Sequence, residues 1–385
     1  MKHIYLDHNA TSPVRKEVLD AMMPYLLDQY GNASSVHSKG QAAARAVEHS
    51  REIIGNAIGT ESVDIVFTSG GTEADNFAIK GVAMANLEKG RHIITSETEH
   101  LAVLDTCRFV EKEFGFDVTY LPVDKYGVVD LDKLKESIRK DTVLISVMFA
   151  NNEVGTIQPV KEIAKIAKKN GIYFHTDAVQ ALGKEHIDVE GLGIDLCSFS
   201  AHKLNGPKGV GALYVRKGVN IMPYQSGGYH ERKRRAGTLN VPGIVGFAKA
   251  LEIATRDMKK SNKHMNRLTK KFLMGLQGQL SEIYLNGHPE HRLSNTLNIS
   301  FRYIEGESML LNFDMKGIFV STGSACTSGS LEPSHVLTAM KIPPDTSQGS
   351  IRFSFGYENT EEEVDYCLVE IPPIVKRLRE MSPLC

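Results

Sequence analysis

The chain has 385 residues, of which 42% are hydrophobic and 24% charged, so it has the composition of a globular protein and the length for two domains. A formal net charge of -1 gives no support for a nucleic-acid or acidic-surface partner. The first residues lack an apolar signal segment and no stretch is long enough to span a bilayer, so we expect a cytoplasmic protein without a membrane partner.

The predicted elements begin with two helices, over 16–30 and 41–58, separated by a polar loop at 31–37. From residue 63 short apolar strands alternate with amphipathic helices, which predicts a mostly parallel sheet covered on both faces. The predicted strands of this part are 63–68, 92–95, 118–122, 142–149, 172–175, 196–199 and 211–215. The predicted helices between them are 72–87, 100–113, 131–138 and 160–170. The last two strands are close in sequence and predict a hairpin, so one edge of the sheet is expected to be antiparallel.

A long helix is predicted from 242 to about 280, and the pattern changes after it. The remaining strands are predicted at 283–285, 294–301, 319–321 and 350–354, and the helices at 307–315, 334–340 and 361–378. The fold class is therefore α/β, with a large domain around a mostly parallel central sheet flanked by helices and a smaller α+β C-terminal domain. We place the large domain at 15–255 and assign 1–14 and 256–385 to the small one.

An anion cradle is predicted at Ser69-Gly70-Gly71-Thr72, between a strand and a helix. Free backbone N–H groups and the helix dipole favour a phosphate there, and glycines let it approach the backbone. A tight turn capped by Thr72 is the alternative.

Asp177 and His175 alternate on one predicted strand, so both side chains can face the same way. A carboxylate beside a pyridine nitrogen keeps that nitrogen protonated, and Gln180 follows within reach of a phenolic oxygen. Two other interpretations stay open: a metal site with His202 as a third ligand, and an aspartate that caps a strand end.

Lys203 follows the predicted strand 196–199 and comes shortly after Ser200 and His202. Most lysines are solvated surface groups, but partial desolvation here would leave a nucleophilic amine, and the two neighbours can reach a phosphate. An amine, a buried acid and an anion cradle at strand ends of an α/β sheet together suggest pyridoxal phosphate.

Three further side chains are candidates on position alone. His100 begins a helix and can stack on an aromatic cofactor or move protons, unless it is an ordinary solvated histidine. Asn152 follows the most apolar strand, at the sheet edge where α/β proteins bind ligands. Arg352 lies within a strand, where an inward guanidinium suits a carboxylate; a salt bridge at the rim is the alternative.

The five cysteines are scattered and form no Cys-x-x-Cys pair, so neither a disulfide framework nor a zinc site is predicted. Cys107, Cys197 and Cys367 lie in amphipathic or apolar segments and are predicted to be core, and Cys385 lies in the C-terminal tail. Cys326 lies in a small, polar loop with glycines, which indicates either a nucleophile that changes position or an incidental loop thiol.

Taken together, the sequence resembles the cysteine desulfurases of the NifS/IscS group, within the fold-type I, class-V pyridoxal-phosphate enzymes. The resemblance extends over nearly the whole chain, in the family's order. Its motifs are Tyr5-Leu6-Asp7-His8-Asn9-Ala10-Thr11, Gly31-Asn32-Ala33-Ser34-Ser35-Val36-His37, Phe67-Thr68-Ser69-Gly70-Gly71-Thr72-Glu73-Ala74-Asp75-Asn76, Asn151-Asn152-Glu153-Val154-Gly155, His175-Thr176-Asp177-Ala178-Val179-Gln180, Ser200-Ala201-His202-Lys203, Arg235-Ala236-Gly237-Thr238-Leu239-Asn240 and Gly323-Ser324-Ala325-Cys326.

The resemblance implies a role for each matching residue. Lys203 would bind the cofactor aldehyde covalently, Asp177 the ring nitrogen and Gln180 the ring oxygen, with His100 stacked on the ring. The remaining cofactor contacts would come from Gly71, Thr72, Asn152, Ser200 and His202, and from Thr238 of the other subunit of a homodimer. The substrate carboxylate would be held by Asn32, Asn152 and Arg352.

The implied activity is conversion of L-cysteine to L-alanine, with the sulfur transferred to Cys326 as a persulfide and then to an acceptor such as an iron–sulfur scaffold protein. A role for Cys326 as a transient iron–sulfur ligand stays open. A selenocysteine lyase or small-amino-acid aminotransferase on the same fold is the nearest alternative. A non-catalytic sulfur-assembly scaffold and a metalloprotein built on His175, Asp177 and His202 are alternatives of other classes.

Overall fold

A computed structural model describes residues 2–322 and 334–382 of the chain. Cys326 and Cys385 therefore lie outside the described residues. The elements before residue 216 are, in chain order, β1 (Ile4–Tyr5), α1 (Lys16–Leu27), α2 (Ser38–Ile58), β2 (Ile65–Thr68), α3 (Gly71–Ala85), β3 (His92–Ser96), α4 (Leu101–Phe114), β4 (Asp117–Leu121), α5 (Leu131–Ser137), β5 (Thr142–Ser146), α6 (Val160–Lys169), β6 (Tyr173–Asp177), α7 (Val189–Leu192), β7 (Leu196–Ser200) and β8 (Gly211–Val215). They are followed by α8 (Val241–Gln277), β9 (Ile283–Asn286), β10 (Thr296–Phe301), α9 (Gly306–Asp314), β11 (Ile318–Phe319), α10 (His335–Ala339), α11 (Pro344–Ser347), β12 (Ser350–Ser354) and α12 (Glu361–Met381).

The large sheet of the described chain has seven strands in the order β2-β8-β7-β6-β5-β3-β4. The pairs from β7 to β4 are parallel, whereas β8 is antiparallel to both β7 and β2. Alternate residues of one strand enter different cores: Ile65 and Phe67 of β2 pack on one face, and Val66 packs on the other. Helices α2, α6 and α8 cover the first face, and α3 and α4 cover the second.

The C-terminal elements form a smaller antiparallel sheet in the order β12-β10-β9. Its core contains Ile299 of β10, Phe353 of β12, Phe313 of α9 and Ile371 of α12. The N-terminal arm joins this unit, because β1 pairs in parallel with β11 and Ile4 enters the same core. The hydrophobic clusters also change along α8, whose Ile253 belongs to the core of the large sheet and whose Leu268 belongs to the smaller one. The domain boundary at 255 stays a prediction.

The predicted fold class is confirmed, since a mostly parallel sheet between helices is followed by a small antiparallel unit. The hairpin over 196–199 and 211–215 is also present. The antiparallel pairs lie at one edge of the sheet, as predicted, although β2 pairs on the outer side of β8 and so forms the edge strand itself. The strand predicted over 142–149 ends as a regular element at Ser146, although the N–H groups of Val147 and Phe149 still bond to the carbonyl oxygens of His175 and Asp177.

The three described cysteines, Cys107, Cys197 and Cys367, are fully buried, as predicted. Burial raises the pKa of all three thiols, to about 12 for Cys367. None of the helices in the described ranges is both long and apolar enough to cross a membrane.

Candidate active site

A cavity of about 410 Å³ opens at the carboxyl ends of β5, β6 and β7, beside the N-terminus of α3. This is the edge at which parallel α/β sheets bind ligands, and the volume suits a small molecule. Its walls come from elements far apart in sequence, including the N-terminal arm and β12 of the small sheet. The predicted site residues that line it are Gly71, Thr72, His100, Asn152, Asp177, Gln180, Ser200, His202, Lys203 and Arg352.

Lys203 ends a short 3-10 turn, Ala201–Lys203, directly after β7. Its Nζ donates hydrogen bonds to the backbone oxygens of Asn9, at 2.5 Å, and Ala10, at 2.8 Å. Both acceptors belong to the N-terminal arm, so the arm holds the amine at the cavity wall. Carbonyl oxygens are replaceable partners for an amine that must react with a ligand.

Asp177 is the last residue of β6 and is buried. Burial raises the pKa of its carboxyl, and His100, the Val179 N–H and Lys203 each act to lower it. The hydrogen bond from Val179 N to Asp177 Oδ1 is 2.8 Å long. These groups offset only part of the effect of burial, so the pKa of Asp177 stays above its usual value. A pyridine nitrogen beside this carboxyl would supply the partner that stabilises its ionised form.

His100 caps the N-terminus of α4, where its Nδ1 accepts a hydrogen bond of 3.1 Å from the N–H of Ala102. Burial lowers the pKa of its imidazole, and the nearby charge of Lys203 lowers it further. A neutral ring whose Nδ1 accepts must carry its proton on Nε2, by the hydrogen-bond pattern. The cap therefore fixes both the position of the ring and the nitrogen from which it donates.

The predicted anion cradle lies at the start of α3, which begins at Gly71 after a turn through Ser69 and Gly70. Gly70 has φ 157° and ψ -174°, a conformation that is essentially limited to glycine, and it directs the chain into the helix. The turn is held by Glu73, whose carboxylate accepts from Ser69 N at 2.9 Å and from both Nε and Nη2 of Arg235. The free N–H groups of the first turn therefore have a fixed direction.

Ser200 and His202 line the cavity beside this cradle, from the end of β7. His202 Nδ1 is 3.1 Å from the Thr11 hydroxyl. Burial and the charges of Lys203 and Lys208 lower the pKa of His202 to about 4. The ring is neutral at pH 7 and can donate one hydrogen bond without adding a charge.

Arg352 brings the small sheet into the site and is only 3% exposed. Its Nη2 pairs with Asp7 Oδ1 at 2.8 Å, and its Nη1 donates to the backbone oxygen of Asn152 at 3.0 Å. Its Nε has no hydrogen-bond partner among the described residues. The guanidinium is thus held in place and keeps one donor for an anion such as a carboxylate.

Sequence reasoning assigned no role to several residues of the cavity wall, namely Asn9, Ala10, Asp75, Met148, Ala150 and Val179. Asp75 had a detectable signal, since it lies four residues after Gly71 on α3 and so shares its helix face. The contribution of Asn9 and Ala10 is made by backbone oxygens, for which the sequence carries no signal.

Two of the predicted residues that the structure describes, Asn32 and Thr238, do not line the cavity of this chain. Asn32 is exposed, and its Oδ1 accepts from Ser34 N, so the structure does not join it to Asn152 and Arg352 as expected. Thr238 is exposed on the loop after Arg235, and it was expected to serve the other subunit. Cys326 lies outside the described residues.

The metal alternative has no ligand set, because the described residues contain no group of three His, Cys, Asp or Glu side chains that could hold an ion. His175 does not line the cavity; its ring lies between the hydroxyls of Ser146 and Ser198, at 2.8 and 2.9 Å. Burial lowers the pKa of His175 to about 3. The ring is therefore a neutral member of the core, and its 3.7 Å approach to Asp75 is not an ion pair at pH 7.

The class-V aminotransferase family profile matches residues 4–367. The chain is 57% identical to the cysteine desulfurase IscS of Methanosarcina thermophila, with 100% of this chain and 94% of that protein covered. It is 53% identical to the cysteine desulfurase IscS of Dictyoglomus turgidum, with 99% and 97% covered. The chain belongs to the class-V aminotransferase family, among the cysteine desulfurases.

A solved structure described as a NifS-like protein superposes on this cysteine desulfurase chain with a TM-score of 0.93 at 42% identity, covering 98% of this chain and all of the other. Agreement over nearly the whole length means that the large sheet, the small sheet and the cavity between them belong to one shared architecture.

The cavity of this class-V aminotransferase fits a pyridoxal phosphate. The helix N-terminus with Thr72, Ser200 and His202 suits the phosphate, the Lys203 amine suits the aldehyde, and Asp177 suits the ring nitrogen. The three features line one cavity. The alternative interpretations, a capped turn, a solvated surface lysine and an aspartate that caps a strand end, do not require the three groups to lie together.

Proposed function

We propose that the chain is a pyridoxal-phosphate-dependent cysteine desulfurase, which converts L-cysteine to L-alanine and passes the sulfur to Cys326. The observation that carries the proposal is that the Lys203 amine, the Asp177 carboxyl and the anion cradle of α3 line one cavity. Family membership among the cysteine desulfurases supports the same activity.

Lys203 would bind the cofactor aldehyde, Asp177 its ring nitrogen, Gln180 its ring oxygen, and His100 would stack on the ring. Gly71, Thr72, Asn152, Ser200 and His202 would complete the binding site, with Thr238 supplied by a second subunit. When bound, the protonated ring supplies an electron sink for the carbon that loses its proton.

The substrate carboxylate would be held by Arg352, which has a buried Nε to donate, and by Asn152 next to it. Asn32 is retained in the proposal as a third contact, although it is exposed in the single chain. The displaced Lys203 Nζ would then take the proton from Cα of the bound cysteine, and the Nε2–H of His100 is available to return a proton.

The thiolate of Cys326 would form an S–S bond to the substrate sulfur as the Cβ–S bond breaks. The electron pair of the broken bond stays with the carbon skeleton, which takes up protons and leaves as alanine. The thiols of Cys107, Cys197 and Cys367 are buried with raised pKa values, which makes them poor nucleophiles.

We further propose that two copies form a homodimer in the cytoplasm, with Thr238 of each copy contacting the phosphate site of the other. Support comes from the position of Thr238, which is exposed and does not line the cavity of its own chain. The persulfide sulfur would go to an acceptor protein such as an iron–sulfur scaffold.

The test is an assay of sulfide and alanine on the purified protein with L-cysteine and a reductant. Cys326→Ser is expected to reduce sulfide release to background while cofactor absorbance remains, and Lys203→Ala is expected to lose the absorbance of the lysine-bound cofactor. Normal turnover by Cys326→Ser would overturn the role of that thiol. A keto acid product would indicate an aminotransferase. A preference for selenocysteine over cysteine would indicate a selenocysteine lyase, and a colourless wild-type protein would indicate a non-catalytic scaffold.

A further inference from the structure

Lys184 lies beside the active site, outside the lining of the cofactor cavity. It lies in the segment between β6 and α7 and lines a second, smaller cavity of about 60 Å³. Lys203 lines both cavities, so the two cavities are neighbours that share the reactive lysine. None of the mechanistic roles above uses Lys184.

The ammonium of Lys184 is bound to Gln180, four residues earlier in the chain. Its Nζ donates to the backbone oxygen of Gln180 at 3.0 Å and to the side-chain Oε1 of Gln180 at 3.2 Å. On the other side of the same amide, Gln180 Nε2 donates to the backbone oxygen of Asn9 at 3.0 Å. A lysine is a donor and a carbonyl an acceptor, so each end of the amide faces a group that accepts only one orientation.

Turning the Gln180 amide over would make both of these contacts unfavourable. Nε2 would then face the donor Nζ of Lys184, and Oε1 would face the carbonyl oxygen of Asn9. Gln180 is only 4% exposed, so water does not replace the lost bonds. We propose that Lys184 is a positioning residue that fixes the side-chain amide of Gln180, so that the second N–H of Nε2 is directed into the cofactor cavity.

This inference rests on the proposed function, because the cavity-facing N–H is useful only if Gln180 donates to the ring oxygen of the cofactor. A hydrogen-bond donor at the ring oxygen stabilises the ionised form of that oxygen. It therefore lowers the pH at which the lysine-bound cofactor, whose absorbance is measured, loses its proton. One hydrogen bond corresponds to a shift of roughly half to one pH unit.

The hydrogen bond from Lys184 to Gln180 does not depend on the charge of Lys184, so it is kept throughout the pH titration. The charged and titratable groups that act on Lys184 are Lys203, Arg352 and Glu185, and Lys184 in turn acts on His8. Burial, with Lys203 and Arg352, lowers the pKa of Lys184 to about 7. The neutral amine formed above that pH still carries two N–H donors, so the bond to Gln180 Oε1 persists across the measured range.

The experiment compares the pH midpoint of the bound-cofactor absorbance in the purified holoenzymes of wild type, Lys184→Met, Gln180→Leu and the double variant. Lys184→Met alone is expected to raise the midpoint by about half to one unit. In the Gln180→Leu background the same change is expected to produce no further shift, because Lys184 acts through Gln180. Lys184→Arg keeps a donor, has the small cavity to enter, and is expected to restore the wild-type midpoint.

Lys165→Met, on the exposed face of α6, is the matched control and is expected to leave the midpoint unchanged. An unchanged midpoint in Lys184→Met, or equal shifts with and without Gln180, would overturn the positioning role. Failure of the proposed function looks different, since wild type would then show no lysine-bound absorbance and would release no sulfide. A misfolded Lys184→Met is separated by its melting temperature, and the Lys184→Arg holoenzyme then decides, since a midpoint shifted like that of Gln180→Leu would contradict the proposal.

Discussion

Asp75 is a buried carboxyl group that no cation accompanies within the described chain. It is 1% exposed, lines the cofactor cavity, and its Oδ1 has no hydrogen-bond partner among those residues. Burial raises its pKa well above the usual range, and the charges of Asp177 and Glu99 raise it further. Asp177, by contrast, has His100 and Lys203 beside it. Of these two acids, Asp75 is therefore the one that holds a proton at neutral pH.

Replacing Asp75 with asparagine should stabilise the protein increasingly as the pH rises. A folded-state pKa above the unfolded value means that the wild-type contribution is complete at low pH and is lost as the pH rises through the folded value. Asp75→Asn has the same shape and no proton to lose, so its melting temperature minus that of wild type should grow from pH 5 to pH 8. Asp132→Asn, on exposed α5, should give a flat difference, and a flat difference for Asp75→Asn would contradict a raised pKa.

At the scale of elements, one buried ion pair ties helix α2 to the loop that carries Thr238. The guanidinium of Arg51 forms two hydrogen bonds of 2.8 Å with the carboxylate of Glu231, which also accepts from Phe67 N of β2. Both side chains are almost fully buried. Glu231 is the first of three consecutive residues with positive φ, at 45°, 55° and 68°. The pair therefore anchors a strained backbone segment.

Removing one partner of this pair should be costly. Glu231→Ala leaves the buried Arg51 charge with only the half-exposed carboxylate of Glu48, at 3.2 Å, as an ion-pair partner. The loss of the buried partner should reduce the free energy of unfolding by about 3 kcal/mol in urea denaturation. The double variant Arg51→Met, Glu231→Leu should lose less than Glu231→Ala, because it leaves no charged group buried at this position. Glu136→Ala, from the exposed pair of Lys133 and Glu136, should leave the urea midpoint unchanged. A double variant less stable than Glu231→Ala would show that packing rather than charge dominates.

At the scale of the whole molecule, α8 is the element that both cores share. Its 37 residues extend about 55 Å. Phe247 packs under the large sheet, and Phe272 packs against Phe353 and Phe355 of the small unit, with ring centroids at 4.8 and 5.7 Å. Because Arg352 on β12 forms part of the cavity wall, the active site depends on the small sheet being held against the large one.

The proposed homodimer predicts that two differently impaired subunits can complement each other. A heterodimer of one Lys203→Ala subunit and one Thr238→Ala subunit, purified through two different tags, contains one site with both Lys203 and a Thr238 from the partner. We expect about half of wild-type sulfide release from it, since one of two symmetric sites is intact. The Lys203→Ala homodimer is the inactive reference. Heterodimer activity no higher than half that of the Thr238→Ala homodimer would place Thr238 in its own subunit's site, and a monomer in sedimentation would overturn the dimer.

The sequence by itself determined the order and type of most elements, and it selected ten residues that line the cavity. Period-two and helical patterns depend on neighbouring residues, so strands such as β8 and helices such as α12 were predictable to within a few residues. Strand-end placement was enough to select Lys203, Asp177 and Asn152, because the carboxyl ends of parallel strands meet at one edge.

Only the tertiary structure decided which groups contact each other across long separations. The backbone oxygens of Asn9 and Ala10 bind Lys203, more than 190 residues later, and β2 joins β8 and moves it away from the edge. Asp75 and Lys184 became interpretable only with their surroundings known, since the protonation of an acid and the orientation of an amide depend on burial and on partners. Local sequence encodes periodicity, whereas contacts between distant segments arise when hydrophobic faces pack together.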